Sequence, residues 1–141
     1  MTTVSDLAPM LARLQCIEDR ESIKELTARY AWLVARGDGE AMAYLFTPDG
    51  VFESPSGTLK GREQLADFYT KHIYPPQTVP LGMNHIITLD GDSALATLAM
   101  LSPWRGKDIG LNCGFYNDCY TKVDGRWYFA HRKWTYYERP V

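Results

Sequence analysis

Apolar residues recur every three or four positions through the first third of the chain, which is the spacing of a helix with one apolar side. The first part of this stripe consists of Leu7, Met10, Leu11, Leu14 and Ile17, and the continuation consists of Ile23, Leu26, Tyr30 and Leu33. The polar run at residues 18–22 leaves two alternatives open, a bend or the cap of a second helix. Gly37 is a plausible helix stop, and Asp38 caps a predicted short helix that carries Met42, Leu45 and Phe46.

The rest of the chain has the pattern of turns and strands, with one more helix. Val51-Phe52-Glu53 predicts a short strand, and Gly61 to Ile73 predicts a third helix that Pro75-Pro76 ends. Strand-like segments then form two predicted hairpins, 86–89 with 94–101 around Asp90-Gly91-Asp92, and 109–122 with 127–137 around Val123-Asp124-Gly125. Helices followed by an antiparallel sheet predict an α+β fold, in which a curved sheet encloses a pocket against the helices.

Composition and charge narrow the class of protein. The 141 residues predict one domain, 1–141, and the net charge of -2 gives no reason to expect nucleic-acid binding. The odd number of cysteines (Cys16, Cys113 and Cys119) excludes a complete disulfide framework, so we expect reduced, buried thiols and a cytoplasmic protein. We expect no signal peptide and no membrane span, because neither pattern occurs in the sequence given. We also expect no cofactor and no metal, because the sequence has no metal-ligand spacing and no nucleotide-cofactor fingerprint.

Two stretches of the chain resemble the nuclear-transport-factor-2-like superfamily of cone-shaped α+β folds. The first resembles the front half of ketosteroid isomerases and comprises Ala28-Arg29-Tyr30, Gly37-Asp38, residues 45–49, Phe52-Glu53-Ser54-Pro55, residues 61–65 and Phe68-Tyr69. The second resembles the closing hairpin of SnoaL-like polyketide cyclases and dehydratases and comprises residues 114–118, 124–127 and His131-Arg132. The resemblance implies an apolar pocket inside the cone and a homodimer that associates through the outer face of the sheet. It does not fix the reaction, because this superfamily hosts isomerases, dehydratases, cyclases and non-catalytic binders.

The resemblance to ketosteroid isomerases implies roles for three residues. Tyr30 falls where those enzymes place the tyrosine that donates to the developing enolate oxygen, and Tyr69 falls where some place a second, supporting tyrosine. Asp118 falls at the position of a carboxylic acid that is kept neutral so that it can donate a hydrogen bond. The general-base aspartate, however, would fall at Ser54, which has no useful basicity near neutral pH.

The dehydratase-like branch gives a similar result. Its catalytic aspartate would fall at Ala35 and its catalytic histidine near Pro80, whereas its strand arginine is present as Arg132. The residues that stabilise an oxyanion are therefore retained, and both familiar bases are absent. Proton transfer would fall to His85, to His131 or to the substrate itself.

Several alternatives stay open at this point. Tyr30 is either a pocket donor or a core tyrosine, and Asp118 is either a neutral donor or the partner of Arg132 or Lys122. Only one of Asn84 and His85 points inward, because neighbouring strand residues alternate. A two-residue turn would pair Asp118 with His131. The resemblance favours a bulge at Gly125, which puts Arg132 and Trp134 on the side of Tyr116.

The sequence thus predicts a cofactor-independent lyase or isomerase that acts on a hydrophobic ring compound: a steroid, a polyketide or a lignin-like aromatic. The predicted catalytic residues are Tyr30, Asp118, His85 and Arg132, and the predicted substrate-binding residues are Tyr69, Asn84, Trp104, Asn112, Tyr116 and Trp134. Trp104 belongs to a predicted loop, 104–107, at the pocket mouth. The alternative function is a non-catalytic binder, or the small subunit of a ring-hydroxylating oxygenase, which the loss of both bases favours.

Overall fold

A computed structural model of the chain describes residues 1–73 and 78–137. Three helices and six strands follow one another in the order α1 (Val4–Arg36), α2 (Gly39–Ala43), β1 (Phe46–Ser54), β2 (Gly57–Lys60), α3 (Gly61–His72), β3 (Leu81–Asp90), β4 (Ser93–Arg105), β5 (Ile109–Val123) and β6 (Arg126–Tyr136). The strands form one curved, unclosed sheet in the order β2-β1-β6-β5-β4-β3. The predicted α+β cone is therefore confirmed, but the sheet is not antiparallel throughout as expected, because β1 pairs with β6 in parallel.

The helices cover the inner face of this sheet and close the hydrophobic core. The buried side of α1 contributes Ile23, Leu26, Tyr30 and Val34, and α3 contributes Leu65 and Tyr69. The sheet contributes every second residue of its central strands, such as Leu98 and Met100 of β4, because side chains of a strand alternate between its two faces. Aromatic rings fill the middle of the core, where Phe46 and Phe129 lie 5.1 Å apart between ring centroids.

The first helix differs from its prediction in two ways. It runs without a break through the polar run at residues 18–22, so neither the bend nor the second cap occurs. The two halves of its predicted stripe also lie on different sides of the helix. Leu7 to Ile17 are exposed, whereas Ile23 to Val34 face the core. Ile17 and Ile23 are six residues apart, so the spacing of three or four residues is broken between them. A step of six residues places the second group of apolar side chains on a different side of the helix from the first.

Strands β1, β3, β4 and β5 are longer than predicted, and β6 has the predicted length but begins and ends one residue earlier. Strand β2 was not predicted, and Trp104 and Arg105 belong to β4 rather than to a loop. The predicted helix stop at Pro75-Pro76 lies outside the described residues. The expectation of buried thiols is wrong for Cys16 and Cys113, which are exposed, and Cys119 is half-buried. Within the described ranges, no helix has both the length and the apolar character needed to span a membrane.

The last hairpin has a register that neither alternative predicted. Its turn is the two-residue Asp124-Gly125, both with positive φ (51° and 77°), which is the backbone of the turn favoured by Asp-Gly. A bulge then lies in β6 between Phe129 and His131, so that Asp118 pairs with Arg132. The prediction of a bulge at Gly125 is wrong, but the residues that this bulge was expected to turn inward do face inward. Arg132 and Trp134 share the inner face with Tyr116.

Candidate functional site

An interior cavity of about 120 Å³ lies between α1, α3 and the inner face of the sheet. Its walls carry apolar rings and side chains together with several hydroxyl groups: Tyr30, Val34, Phe52, Ser54, Ser56, Phe68, Tyr69, Ile73, Thr78, Pro80, Met100, Ser102, Tyr116 and Trp134. An open surface depression beside α2 is larger, about 710 Å³, but contains none of the predicted catalytic or substrate-binding residues. The interior cavity is the better candidate site, because four of those residues line it.

Three tyrosines from three elements meet at the cavity wall. Tyr30 of α1 and Tyr69 of α3 are hydrogen-bonded through their hydroxyl groups. The ring of Tyr30 also meets those of Tyr69 and Tyr116 edge to face, with centroids 6.1 and 6.3 Å away. Burial raises the pKa of all three phenols, and their mutual interactions add to the rise for Tyr30 and Tyr116. They are therefore neutral across the physiological range and can donate hydrogen bonds, but they cannot act as bases.

Arg132 and Asp118 form a fully buried ion pair on the core side of this cluster. The guanidinium donates from Nε and Nη2 to the two carboxylate oxygens, at 2.9 and 2.7 Å, and Tyr120 donates to the same carboxylate at 2.7 Å. Burial disfavours the charged form of Arg132, but the charge and hydrogen bonds of Asp118 outweigh it and raise the pKa of the guanidinium. Of the alternatives that the sequence left open for Asp118, the structure shows the ion pair with Arg132. Both of its oxygens accept hydrogen bonds, so it is not a neutral donor to a substrate.

The guanidinium of Arg132 also lies against three aromatic rings. Its central carbon is 3.9 Å from the ring centroid of Tyr116, 4.2 Å from that of Phe129 and 4.5 Å from that of Tyr30. Such contacts place a permanent positive charge beside the two phenols. That charge alone would lower the pKa of Tyr30 and Tyr116, but burial has the larger effect and raises both pKa values. Arg132 does not line the cavity itself. It acts on the cavity through the rings that do.

His85 is the inward member of its pair, and Asn84 is exposed on a bulge of β3 with a φ of 58°. The half-buried His85 ring places Nε2 3.1 Å from the hydroxyl of Thr27, outside the residues that line the cavity. Burial and the charge of Arg132 lower the pKa of His85, while the charge of Asp118 opposes the shift. The ring is therefore largely neutral at pH 7.

Three further predicted residues lie away from the cavity. His131 faces the outer side of the sheet, where it contacts Glu53 at 2.5 Å, and so cannot transfer a proton inside the cone. Trp104 packs over Gly110 near the end of β4, and Asn112 pairs in register with Ser102 without lining the cavity. Of the ten predicted site residues, Tyr30, Tyr69, Tyr116 and Trp134 line it.

Several cavity residues were missed as binding residues. Thr78 and Ser102 are joined by a hydrogen bond between their hydroxyls, but they are 24 residues apart, and no local pattern links them. Phe52 and Phe68 were assigned only to a strand and a helix face. Ser54 and Pro80, which stand at two of the absent base positions, line the cavity, whereas Ala35 does not. The indole N–H of Trp134 is buried and has no hydrogen-bond partner within residues 1–73 and 78–137.

The fold and this site define a small α+β cone protein with an apolar cavity lined by phenols. A family model for the SnoaL-like domain matches residues 15–133, so the chain belongs to the SnoaL-like family, within the superfamily that the sequence resembled.

Solved structures of similar fold include proteins with and without a known activity. A protein of unknown function from Mycobacterium tuberculosis is 30% identical, with a TM-score of 0.83, over 92% of this chain and 77% of that one. An NTF2-like protein with a cystatin-like fold from Novosphingobium aromaticivorans is 26% identical, with a TM-score of 0.82, over 96% and 91%. A hexachlorocyclohexane dehydrochlorinase is 19% identical, with a TM-score of 0.78 over 88% of each chain, a likeness of fold alone.

Proposed function

We propose that the chain is a cofactor-independent enzyme whose cavity stabilises a developing oxyanion on a small cyclic molecule. The observation that carries the proposal is the meeting of three neutral phenols, Tyr30, Tyr69 and Tyr116, at an apolar cavity with a guanidinium directly behind them. Preorganised donors in a water-poor site stabilise negative charge at little reorganisation cost. Proteins of the same fold include a hexachlorocyclohexane dehydrochlorinase, an enzyme that acts on a small ring.

The phenols can act as a chain of donors that ends at the ligand. Three hydroxyl groups carry three protons, and the hydrogen bond between Tyr30 and Tyr69 uses one of them. This bond raises the pKa of Tyr30 and lowers that of Tyr69, which fits donation from Tyr30 to Tyr69, while the ring of Tyr116 packs against Tyr30 from the other side. The proton of Tyr69 is then free to donate to an oxygen of the ligand. Arg132 strengthens the chain from its far end, since its positive charge polarises the rings of Tyr116 and Tyr30.

The size of the cavity narrows the substrate class. An apolar cavity of about 150 Å³ binds benzene, whereas pockets for drug-sized ligands measure about 300–1,000 Å³. At about 120 Å³ the cavity suits one ring, which favours a monocyclic ketone or phenol over the steroid or polyketide expected at first. The hydroxyls of Ser54, Ser56, Thr78 and Ser102 give it further polar contacts for a second oxygen.

The residues that line the cavity also narrow the reaction. They include no carboxylate, histidine, lysine or arginine among the described residues, so no side chain in the wall is suited to take a proton from carbon. A retro-aldol cleavage fits this composition best. As the bond between carbons breaks, its electron pair moves into the enolate and the hydroxyl carbon becomes the carbonyl of the departing fragment. The proton that the hydroxyl releases stays within the substrate and ends on the enolate carbon, so the step needs no base from the wall. Tyr69 would hold the oxygen of that enolate.

Binding to the phenol chain can be tested with 4-nitrophenol, a one-ring ligand whose absorbance reports its ionisation. We expect wild type to bind it as the phenolate at a pH where the free ligand is mostly neutral. Tyr69→Phe should weaken binding by about 10- to 100-fold, since a hydrogen bond to a charged group contributes roughly 1.5–3 kcal/mol. Tyr137→Phe is the matched control, because Tyr137 is exposed and lies outside the cavity. Equal binding by all three proteins would contradict the proposal.

A non-catalytic binder is the second candidate, and the absence of a base in the described cavity wall favours it. The two functions are separated with 2-(hydroxymethyl)cyclohexanone, a one-ring β-hydroxy ketone. Its retro-aldol cleavage gives cyclohexanone and formaldehyde, which a colorimetric assay detects. Release that depends on Tyr69 supports the enzyme. Tight binding of 4-nitrophenol without turnover of this ketone or of a panel of related one-ring substrates supports the binder.

A further inference from the structure

The first half of α1 is a helical arm that extends away from the body of the molecule. Every residue from Met1 to Glu18 is exposed, although the helix begins firmly at its N-terminus, where Asp6 accepts a hydrogen bond from the Thr3 N–H at 2.9 Å. The arm nevertheless carries six large apolar side chains with exposed fractions of 44% to 84%: Val4, Leu7, Met10, Leu11, Leu14 and Ile17. A contiguous exposed apolar surface of this kind marks an interaction site.

This stripe faces away from the core that the rest of α1 helps to build. Leu7 and Ile23 are sixteen residues apart, which is a rotation of roughly 160° around a helix of 3.6 residues per turn. Asp19 fixes the rotation of the helix against the body, because it accepts hydrogen bonds from Trp127 at 2.9 Å and from Lys122 at 3.2 Å. The stripe therefore cannot turn inward to cover its own sheet, and only another molecule can bury it.

We propose that the occupant is the arm of a second copy of this chain, packed antiparallel around a two-fold axis. The apolar positions are symmetric about the midpoint between Met10 and Leu11. An antiparallel pair centred there opposes Val4 with Ile17, Leu7 with Leu14, and Met10 with Leu11, so each apolar side chain meets another. Such self-complementarity is what an isologous two-fold contact requires.

Charge and shape fit the same arrangement. Asp6 and Arg13 lie on the same flank of the arm. In the antiparallel pair, Asp6 of one copy and Arg13 of the other differ by only two residues in height, which is about 3 Å along the helix axis, so the two opposite charges lie close together. The two bodies then lie at opposite ends of the paired arms. They cannot collide, because each body is attached to the side of α1 that faces away from the other arm.

The size of the contact sets its expected strength. A standard interface uses about 20–30 residues on each partner, whereas the arm offers only one side of its eighteen exposed residues, Met1 to Glu18. The pair of arms therefore lies at the low end of the size range, and we expect a dimer with a dissociation constant in the micromolar range.

Sedimentation over a concentration series tests the surface. We expect wild type to pass from monomer to dimer over micromolar concentrations, and Leu11→Glu to raise the dissociation constant tenfold or more. Ala12→Glu adds the same charge to the other side of the arm and should leave the dimer unchanged. All three proteins should keep the same melting temperature when monomeric, since both positions are exposed. A wild type that stays monomeric up to roughly 1 mM overturns the proposal, and so does a dimer that persists in Leu11→Glu, because its contact then lies elsewhere.

Cross-linking tests the orientation. In a background with Cys16→Ser and Cys113→Ser, which removes the two exposed thiols, an equimolar mixture of the single variants Leu7→Cys and Leu14→Cys should oxidise to the mixed disulfide dimer. Each single variant alone should give little disulfide-linked dimer, because its thiol would face a leucine in the partner. Efficient cross-linking of either single variant indicates parallel arms and overturns the antiparallel arrangement.

Discussion

Arg132 lies between three aromatic rings with its guanidinium side-on against Asp118, and both side chains are fully buried. The positive charge is held near the cavity only because the carboxylate compensates it. Removing one partner of a buried pair costs far more than the pair itself contributes, since the remaining charge cannot reach water. The ion pair is therefore expected to be both a structural requirement and the source of the positive field behind the phenols.

The first prediction at this scale concerns Asp118→Asn. We expect it to lower the free energy of unfolding by about 3–5 kcal/mol, because it leaves the guanidinium without a counter-charge. Urea unfolding followed by circular dichroism measures this. The double variant Asp118→Leu, Arg132→Met removes both charges and should recover part of the loss. A single variant as stable as wild type would mean that water reaches the guanidinium.

A second prediction concerns His85, whose pKa is lowered by burial and by the charge of Arg132. An NMR titration of its ring should give a midpoint below the ordinary value of 6.5. A lowered histidine pKa means that protonation favours the unfolded state. The contribution of His85 to stability is therefore fully present above the unfolded value of about 6.5 and declines as the pH falls from there through the folded pKa. A midpoint above 6.5 would contradict the half-buried position beside Thr27.

At the scale of elements, α1 and the last hairpin show where local pattern stops being informative. The periodicity predicted the helix, but the polar run at residues 18–22 indicated a bend. Asp19 is instead buried, because Lys122 and Trp127, which come more than a hundred residues later, supply its partners. In the hairpin, the Asp124-Gly125 turn follows from the sequence, whereas the bulge after Phe129 has no signal in the residues around Ala130. Contacts between distant segments decide both features.

The prediction for this element is that Asp19 anchors α1 to the sheet. Burial alone would raise the pKa of Asp19, but hydrogen bonds from Trp127, Lys122 and Gln15 outweigh it and hold the pKa below its ordinary value of 3.8. Asp19→Ala leaves the indole N–H without its acceptor, so we expect a loss of about 1–3 kcal/mol in urea unfolding at pH 7. The anchor's contribution is present above the unfolded pKa and disappears as the pH falls through the lowered folded value. The difference between wild type and variant should therefore shrink in acid, and a constant difference would contradict the assignment.

At the scale of the whole molecule, the order of helices and strands was enough to predict an α+β fold with a curved sheet around a pocket, and the family resemblance supplied the cone shape. The members of the cavity wall were predictable only where a resemblance pointed to them, as for Tyr30 and Tyr69. Thr78 and Ser102 come together through the register of strands and the path of the chain, which single positions do not encode. The resemblance also misled in one respect, since it suggested a neutral Asp118 where the neighbouring strand supplies Arg132.

The arm and the body are separate parts of the molecule, and this leads to a last prediction. Removing residues 2–14 deletes only exposed side chains and spares Gln15, which donates a hydrogen bond to Asp19 at 3.2 Å. At a concentration where wild type is monomeric, we expect the melting temperature of the shortened chain to stay within about 2 °C of wild type. Binding of 4-nitrophenol should be unchanged, since the cavity lies wholly within the body. At high concentration only wild type should gain stability, because dimerisation stabilises the folded state by mass action. A shortened chain that melts much earlier when dilute would show that the arm folds back onto its own body, and a shortened chain that still dimerises would place the contact on the sheet.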